Sequence, residues 1–225
     1  MRKQPQTLVI GGTQVASGKS LLTLALANVL TNWKMTVTIV SCNYQTVTWR
    51  TIQKHHCHEW QSDIRTANEL NNFWIALQGV QTDYLLIDLD STGPKHDNYT
   101  WLLNECWLPL AQQIILTYST ETDVNTLLYQ DLGALQFSME YTLTNPKIYT
   151  VLNRYPAPVA VRSAMTASDL LPFHRQFQTR HAEFAAMNLE PLGMLTDARQ
   201  HPEKVLADAT QILTARFIIK LAKYF

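Results

Sequence analysis

Short apolar runs alternate with longer segments whose apolar positions repeat at helical spacing, along the whole chain. Leu8-Val9-Ile10 is the first run and predicts a buried strand behind Pro5. Gly11 and Gly12 break it, residues 13–20 form a loop of mostly small residues, and residues 21–30 are mostly Leu, Ala and Val, suited to a helix packed on a sheet. The β-branched run 36–40 (TVTIV) predicts a second strand. Thr66-Ala67-Asn68-Glu69 fits a capping box, and Leu70, Phe73, Trp74 and Leu77 follow at helical spacing before Gly79. Tyr84-Leu85-Leu86-Ile87 is a third strand, ended by Asp88. Helices are expected over residues 98–106, stopping before Pro109, and from Thr122 or Asp123 to about Leu135, on either side of a fourth strand at 114–118. A fifth strand, 147–152, runs into Asn153-Arg154. Beyond Pro156 and Pro158, Thr166-Ala167-Ser168-Asp169 caps a helix reaching Met187, and residues 192–195 make a short strand. Pro202 opens a last helix with Val205, Leu206, Ala209, Ile212, Leu213, Phe217 and Leu221 on one face.

This alternation predicts the α/β class: a three-layer α/β/α sandwich around a mostly parallel sheet, in one domain over residues 1–225. Ligands of such a sheet bind outside the carboxyl ends of the strands, where residues 12–20, 41–45, Asp88 and Asn153 fall. Composition agrees, since 46% of the 225 residues are apolar and 16% charged, enough for a core and unlike a disordered chain. The formal net charge of zero gives no global pull toward nucleic acid. No apolar stretch reaches the roughly 18 residues of a membrane span, and the first residues lead into a strand rather than a signal peptide. Cys42, Cys57 and Cys106 are unpatterned, which suits a reducing cytoplasm. His55-His56-Cys57-His58 lacks a second half-site at zinc spacing, and a solvated loop or helix face is expected there.

Chemistry concentrates in the first glycine-bearing loop. A strand, a loop ending Gly18-Lys19-Ser20 and a helix are the context of a phosphate-binding P-loop. Backbone N–H groups from Thr13, Gln14, Val15, Ala16, Ser17, Gly18, Lys19, Ser20 and Leu21 can wrap a phosphate, aided by the positive end of the helix dipole. Lys19 brings a point charge to the β- and γ-phosphates, and the Ser20 hydroxyl can ligate Mg²⁺. The spacing GxxxxGK[ST] asks for glycine at position 13; the chain has Thr13, with Gly12 one place early. Asp88, after four apolar residues, has the form of a Walker B carboxylate beside that Mg²⁺.

The order of P-loop, second strand ending near Gln45, Walker B strand, Thr117–Asp123 (TYSTETD) and Val151-Leu152-Asn153-Arg154 resembles the ParA/MinD family of P-loop ATPases, closest to short ParA partition proteins without an N-terminal helix-turn-helix domain. The resemblance implies ATP and Mg²⁺ as cofactors, with Lys19 and Asp88 as catalytic residues and Ser20 and Asp88 as metal ligands. It implies an ATP-controlled homodimer acting in DNA partition, and a ParB-like activator as partner. It also implies that Asn153 contacts adenine, although a strand-end Asn equally caps a turn. Nonspecific DNA binding would fall to Arg216, Lys220 and Lys223 on the last helix, with Lys204 at its start; cations near a helix C-terminus also complement its dipole.

Two departures stand out. Gln14 occupies the place of the family's crossing lysine, with Val15-Ala16 for two glycines, and Ser41-Cys42-Asn43-Tyr44-Gln45 replaces an Asp-x-Asp-Pro-Gln motif. With a cation and a carboxylate missing, slow or partner-dependent hydrolysis is expected, Asp88 and Asp90 being the remaining nearby carboxylates. Residues 12–20 also resemble the loop of dethiobiotin synthetases, but Cys42 stands where those enzymes use a lysine. A non-hydrolysing ParA-like adaptor is the other alternative.

Overall fold

The apolar runs do form strands, and the strands pair in parallel. The computed structural model describes residues 4–12, 17–42, 57–61, 64, 66–89, 101, 103–119, 124–155, 190–196, 207 and 210. Among them β1 (Gln6–Gly11), β2 (Val37–Ser41), β3 (Cys57–Gln61), β4 (Tyr84–Asp88), β5 (Gln113–Ser119), β6 (Lys147–Tyr155) and β7 (Glu190–Thr196) make one seven-stranded sheet, in the order β3-β2-β4-β1-β5-β6-β7. Every described pairing is parallel. The carboxyl ends of all seven strands therefore lie at one end of the molecule.

Helices cover both faces. From β1 the chain passes through α1 (Lys19–Asn32) to β2 on one side, and from β3 through α2 (Ala67–Gln78) back to β4. These crossovers run in opposite senses, so the right-handed rule places their helices on opposite faces. Leu22, Ala25, Leu26, Val29 and Leu30 of α1 pack on Leu8, Ile10, Ile39, Leu86 and Ile115. On the other face Phe73 of α2, Trp107, Leu108 of α3 (Leu108–Leu110) and Leu132 and Leu135 of α4 (Val124–Thr142) pack on Val9, Leu85, Ile87, Ile114 and Leu116. Phe73 meets the Trp107 ring edge-on, with centroids 5.8 Å apart. The three layers expected from the alternation are present.

Local chemistry sets the boundaries. The Thr66 hydroxyl accepts from the Glu69 N–H while Glu69 accepts from the Thr66 N–H, so the expected capping box closes and α2 starts where predicted. Of the apolar stripe that follows, Phe73 is fully buried, whereas Leu70 and Leu77 are half-covered.

Four expectations need correction. Cys57 and His58 belong to β3, not to a loop or helix face, because an edge strand paired on one side to β2 does not require an apolar run. The chain does not stop before Pro109: a π-helical turn, Leu103–Trp107, continues into α3 with proline in its first turn, where the missing N–H costs nothing. α4 runs past Leu135 to Thr142, since Leu132, Leu135 and the partly buried Met139 carry its apolar stripe onward; exposed Gly133 has open space and is tolerated. Asn153 is not at a strand end but inside β6, which extends to Tyr155. The expected helix at 166–187 lies outside the described residues, as do Asp90 and Asn43; of the helix expected from Pro202 only Ala207 and Thr210 are described, and both are helical.

Candidate functional site: the glycine loop at the head of the sheet

β1 ends at Gly11 in the middle of the sheet, between β4 and β5. Chain order reverses at this strand, so the crevice above it is where ligands of an open parallel sheet bind. Gly12 follows with φ of +120°, backbone that other residues rarely adopt, and a Cβ there would stand 2.9 Å from the Thr117 carbonyl oxygen. The chain can turn off the sheet here only as glycine.

The loop returns at Ser17 and Gly18. Gly18 is the N-cap of α1 in the left-handed conformation, φ 95°, and no side-chain hydrogen bond caps this helix. Its first intrahelical bond runs from the Leu22 N–H to the Gly18 carbonyl, 2.9 Å. The N–H groups of the opening turn therefore lack intrahelical acceptors, and the turn itself carries no acidic residue. α2 makes the contrast, its N-terminus being closed by Thr66 and Glu69. An uncapped helix start with its partial positive charge matches a phosphate oxyanion.

Lys19 is only 5% exposed. Its Nζ donates to the Gly12 carbonyl at 3.0 Å and to Ser17 Oγ at 3.4 Å, so the ammonium lies across the mouth of the loop. Thr23 Oγ1 donates to the Lys19 carbonyl one turn on, holding this first turn. Ser20 and Leu21 are half-buried next to it.

Asp88 closes β4, in register with Ile10 of β1 on one side and Ser41 of β2 on the other. The Cys42 N–H donates to the Asp88 carbonyl at 2.9 Å, and the Leu89 N–H to Ile10 at 3.0 Å, which locks the strand end. Strand alternation puts Asp88 with Tyr84 and Leu86 on the face that carries α1, and its side chain is fully buried. A hydroxyl from Ser20 and a carboxylate from Asp88 are hard oxygen donors, a set that fits Mg²⁺ completed by phosphate and water. Among the described residues no group of three or more His, Cys, Asp or Glu could hold a metal by itself.

Gly12, Ser17, Gly18, Lys19, Ser20, Leu21 and Asp88 thus meet at one end of the sheet. Thr13, Gln14, Val15 and Ala16 lie outside the described residues, as do Arg216, Lys220 and Lys223. The backbone of Asn153 in β6 pairs with Ser119 of β5, so Asn153 lies two strands from β1 at the same sheet end. Thr117, which the sequence names only as the first residue of Thr117–Asp123 and gives no role of its own, is fully buried near the end of β5, with its Oγ1 2.8 Å from Ser17 Oγ. A polar residue closing the apolar run Ile114-Ile115-Leu116 was the available signal.

A groove of about 890 Å³ opens at the opposite end of the sheet, between Trp74 and Leu77 of α2 and Pro109 and Leu110 of α3. Its one carboxylate among the described lining residues, Asp83, accepts from the Thr36 N–H and hydroxyl, both at 2.8 Å, and the described lining carries no Lys or Arg. The chemistry described above gathers at the other end.

No family model and no curated protein sequence matches the chain. Solved structures do. A plasmid partition protein of Borrelia burgdorferi bound to AMPPNP is 12% identical with a TM-score of 0.61, over 97% of this chain and 100% of that one. The MinD cell division protein of Aquifex aeolicus is 14% identical with a TM-score of 0.58, over 96% and 98%. Cobyrinic acid a,c-diamide synthase of Mycobacterium smegmatis is 13% identical with a TM-score of 0.56, over 95% and 94%. The likeness spans nearly the whole of each chain, so the fold of this protein is that of the ParA/MinD P-loop ATPases.

Proposed function

We propose that this chain is a ParA-like ATP-binding protein, working as a single 225-residue domain in the cytoplasm and acting in DNA partition as an ATP-controlled homodimer. The observation that carries this reading is the uncapped start of α1 with the Lys19 ammonium laid across the loop that precedes it. The partition protein that shares the fold was solved with an ATP analogue, which supports ATP as the ligand.

In this reading the amides of residues 13–21 hold the β-phosphate, and Lys19 leaves the Gly12 carbonyl to bridge the β- and γ-oxygens. Ser20 and Asp88 hold Mg²⁺, which supplies charge neutralisation at the phosphates when bound. Asn153 is the residue this reading assigns to the base. Gln14 and Asn43 leave the chain short of one cation and one carboxylate that position and stabilise phosphoryl transfer, so hydrolysis by the protein alone is slow and a ParB-like partner accelerates it. Arg216, Lys220 and Lys223 form a basic flank for weak, salt-sensitive DNA association.

Calorimetric titration with MgATP, followed by a turnover assay, tests the reading. Saturable binding with slow hydrolysis is expected; no binding overturns it, and brisk turnover by the lone protein overturns the assignment of slow chemistry. ATP-dependent DNA retention that survives Arg216→Ala with Lys220→Ala unchanged would remove the basic flank from it. The synthase with the same fold keeps an ATP-dependent metabolic enzyme as the second reading. Cys42, at the end of β2 where dethiobiotin synthetase-like chemistry needs a lysine, weighs against it.

A further inference from the structure

A line of hydrogen bonds crosses from β5 into the glycine loop. Ser17 Oγ and Thr117 Oγ1 are 2.8 Å apart, and both side chains are fully buried. Thr117 Oγ1 donates to the Gly11 carbonyl at 3.3 Å, and Lys19 Nζ donates to Ser17 Oγ at 3.4 Å. Each hydroxyl has one proton to give, an ammonium only gives, and a carbonyl only accepts. The short Ser17–Thr117 contact uses one hydroxyl proton, from either partner, and the Ser17 oxygen keeps a lone pair for Lys19 in both cases. These hydrogen bonds link Lys19 through Ser17 and Thr117 to the last residue of β1.

We propose that Thr117 is the positioning residue of the phosphate loop: by anchoring the Ser17 hydroxyl on β5 it keeps an acceptor facing Lys19 and so aims the ammonium. This rests on the nucleotide reading of the loop. Thr117 braces the loop twice, since its backbone carbonyl also lies against Gly12. Valine has nearly the same shape but neither accepts nor donates. With valine at 117 the Ser17 hydroxyl loses its anchor on β5 and turns away from Lys19, so the ammonium loses one of its acceptors.

The test is MgATP affinity by calorimetry for Thr117→Val, Thr117→Ser, Ser17→Ala and the Ser17→Ala/Thr117→Val double variant, each with its melting temperature without nucleotide. Thr117→Val should weaken MgATP binding about tenfold, the effect of losing one hydrogen bond to a charged group. Thr117→Ser, which keeps the oxygen, should restore affinity to within about twofold, a recovery that loss of packing alone would not give. Ser17→Ala should weaken binding by a similar factor, and the double variant should be no worse than either single one, because both break the same line. Unchanged affinity in Thr117→Val, or additive losses in the double variant, overturns the proposal while the nucleotide site stands. A wild-type protein that takes up no MgATP overturns the site and the proposal together. Should Thr117→Val not fold, unchanged affinity in Ser17→Ala is the overturning result.

Discussion

Gly12 lies so close to the carbonyl of Thr117 that a methyl group on it would stand 2.9 Å from that oxygen. Its φ of +120° adds strain for any other residue. Two independent penalties thus fall on one position, where the chain leaves the sheet and enters the loop.

Gly12→Ala should therefore destabilise the fold by about 1–3 kcal/mol, the range for a residue forced into sparsely populated backbone, and lower the melting temperature by about 2–4 °C for each kcal/mol. Urea unfolding followed by circular dichroism measures it. Wild-type stability in the variant would mean that β1 and β5 separate more easily here than their packing implies.

Lys19→Ala removes the ammonium while leaving the fold of α1 in place. MgATP affinity should fall about 10- to 100-fold, equivalent to about 1.5–3 kcal/mol of charge-assisted hydrogen bonding. Calorimetry against a circular dichroism spectrum matching wild type separates lost binding from lost structure.

Asp88→Asn keeps the shape of a fully buried side chain and removes its charge. Without the carboxylate the site loses its hold on Mg²⁺, so ATP affinity should become insensitive to exchanging Mg²⁺ for EDTA. The wild-type protein should show a clear difference between those two titrations.

Cys106 is fully buried against Trp107 and Phe73, and burial pushes its thiol pKa up. A thiol that stays protonated is a poor nucleophile, so a maleimide should modify half-buried Cys42 in the native protein and reach Cys106 only after unfolding, as peptide mass spectrometry would show. The shift also has a sign in stability. With the folded value above the unfolded one, the contribution is complete below the ordinary thiol pKa of about 8.5 and is lost as pH rises beyond it, because the unfolded chain then releases a proton that the folded one keeps.

Legibility of the fold followed the range of the interactions. Interior strands read plainly as apolar runs because a parallel strand covered on both faces has no solvated side to encode. The Thr66–Glu69 capping box read plainly because all of its partners lie within four residues. β3 did not, since an edge strand of Cys57, His58, Glu59, Trp60 and Gln61 carries no periodic signal and is specified by the backbone of β2 beside it. The π-helical turn at Leu103–Trp107 did not either, because proline is a stop sign by local rule and a permitted first-turn residue by context. At the candidate site, Gly18-Lys19-Ser20 and Asp88 were visible as motif. Thr117 was visible only as the first residue of Thr117–Asp123; its tie to Ser17 was not, because the two lie 100 residues apart and only the pairing of β1 with β5 brings them together.

The place of β1 in the strand order carries one more consequence. Flanked on both sides, it has no edge from which to peel, whereas β3 sits at one border of the sheet. Opening of the molecule by degrees begins at such borders and reaches the centre last. Partial unfolding that strips away the margins thus leaves the glycine turn and its lysine standing, and the most changeable parts of the protein can loosen, swap or evolve without disturbing the grip at its heart.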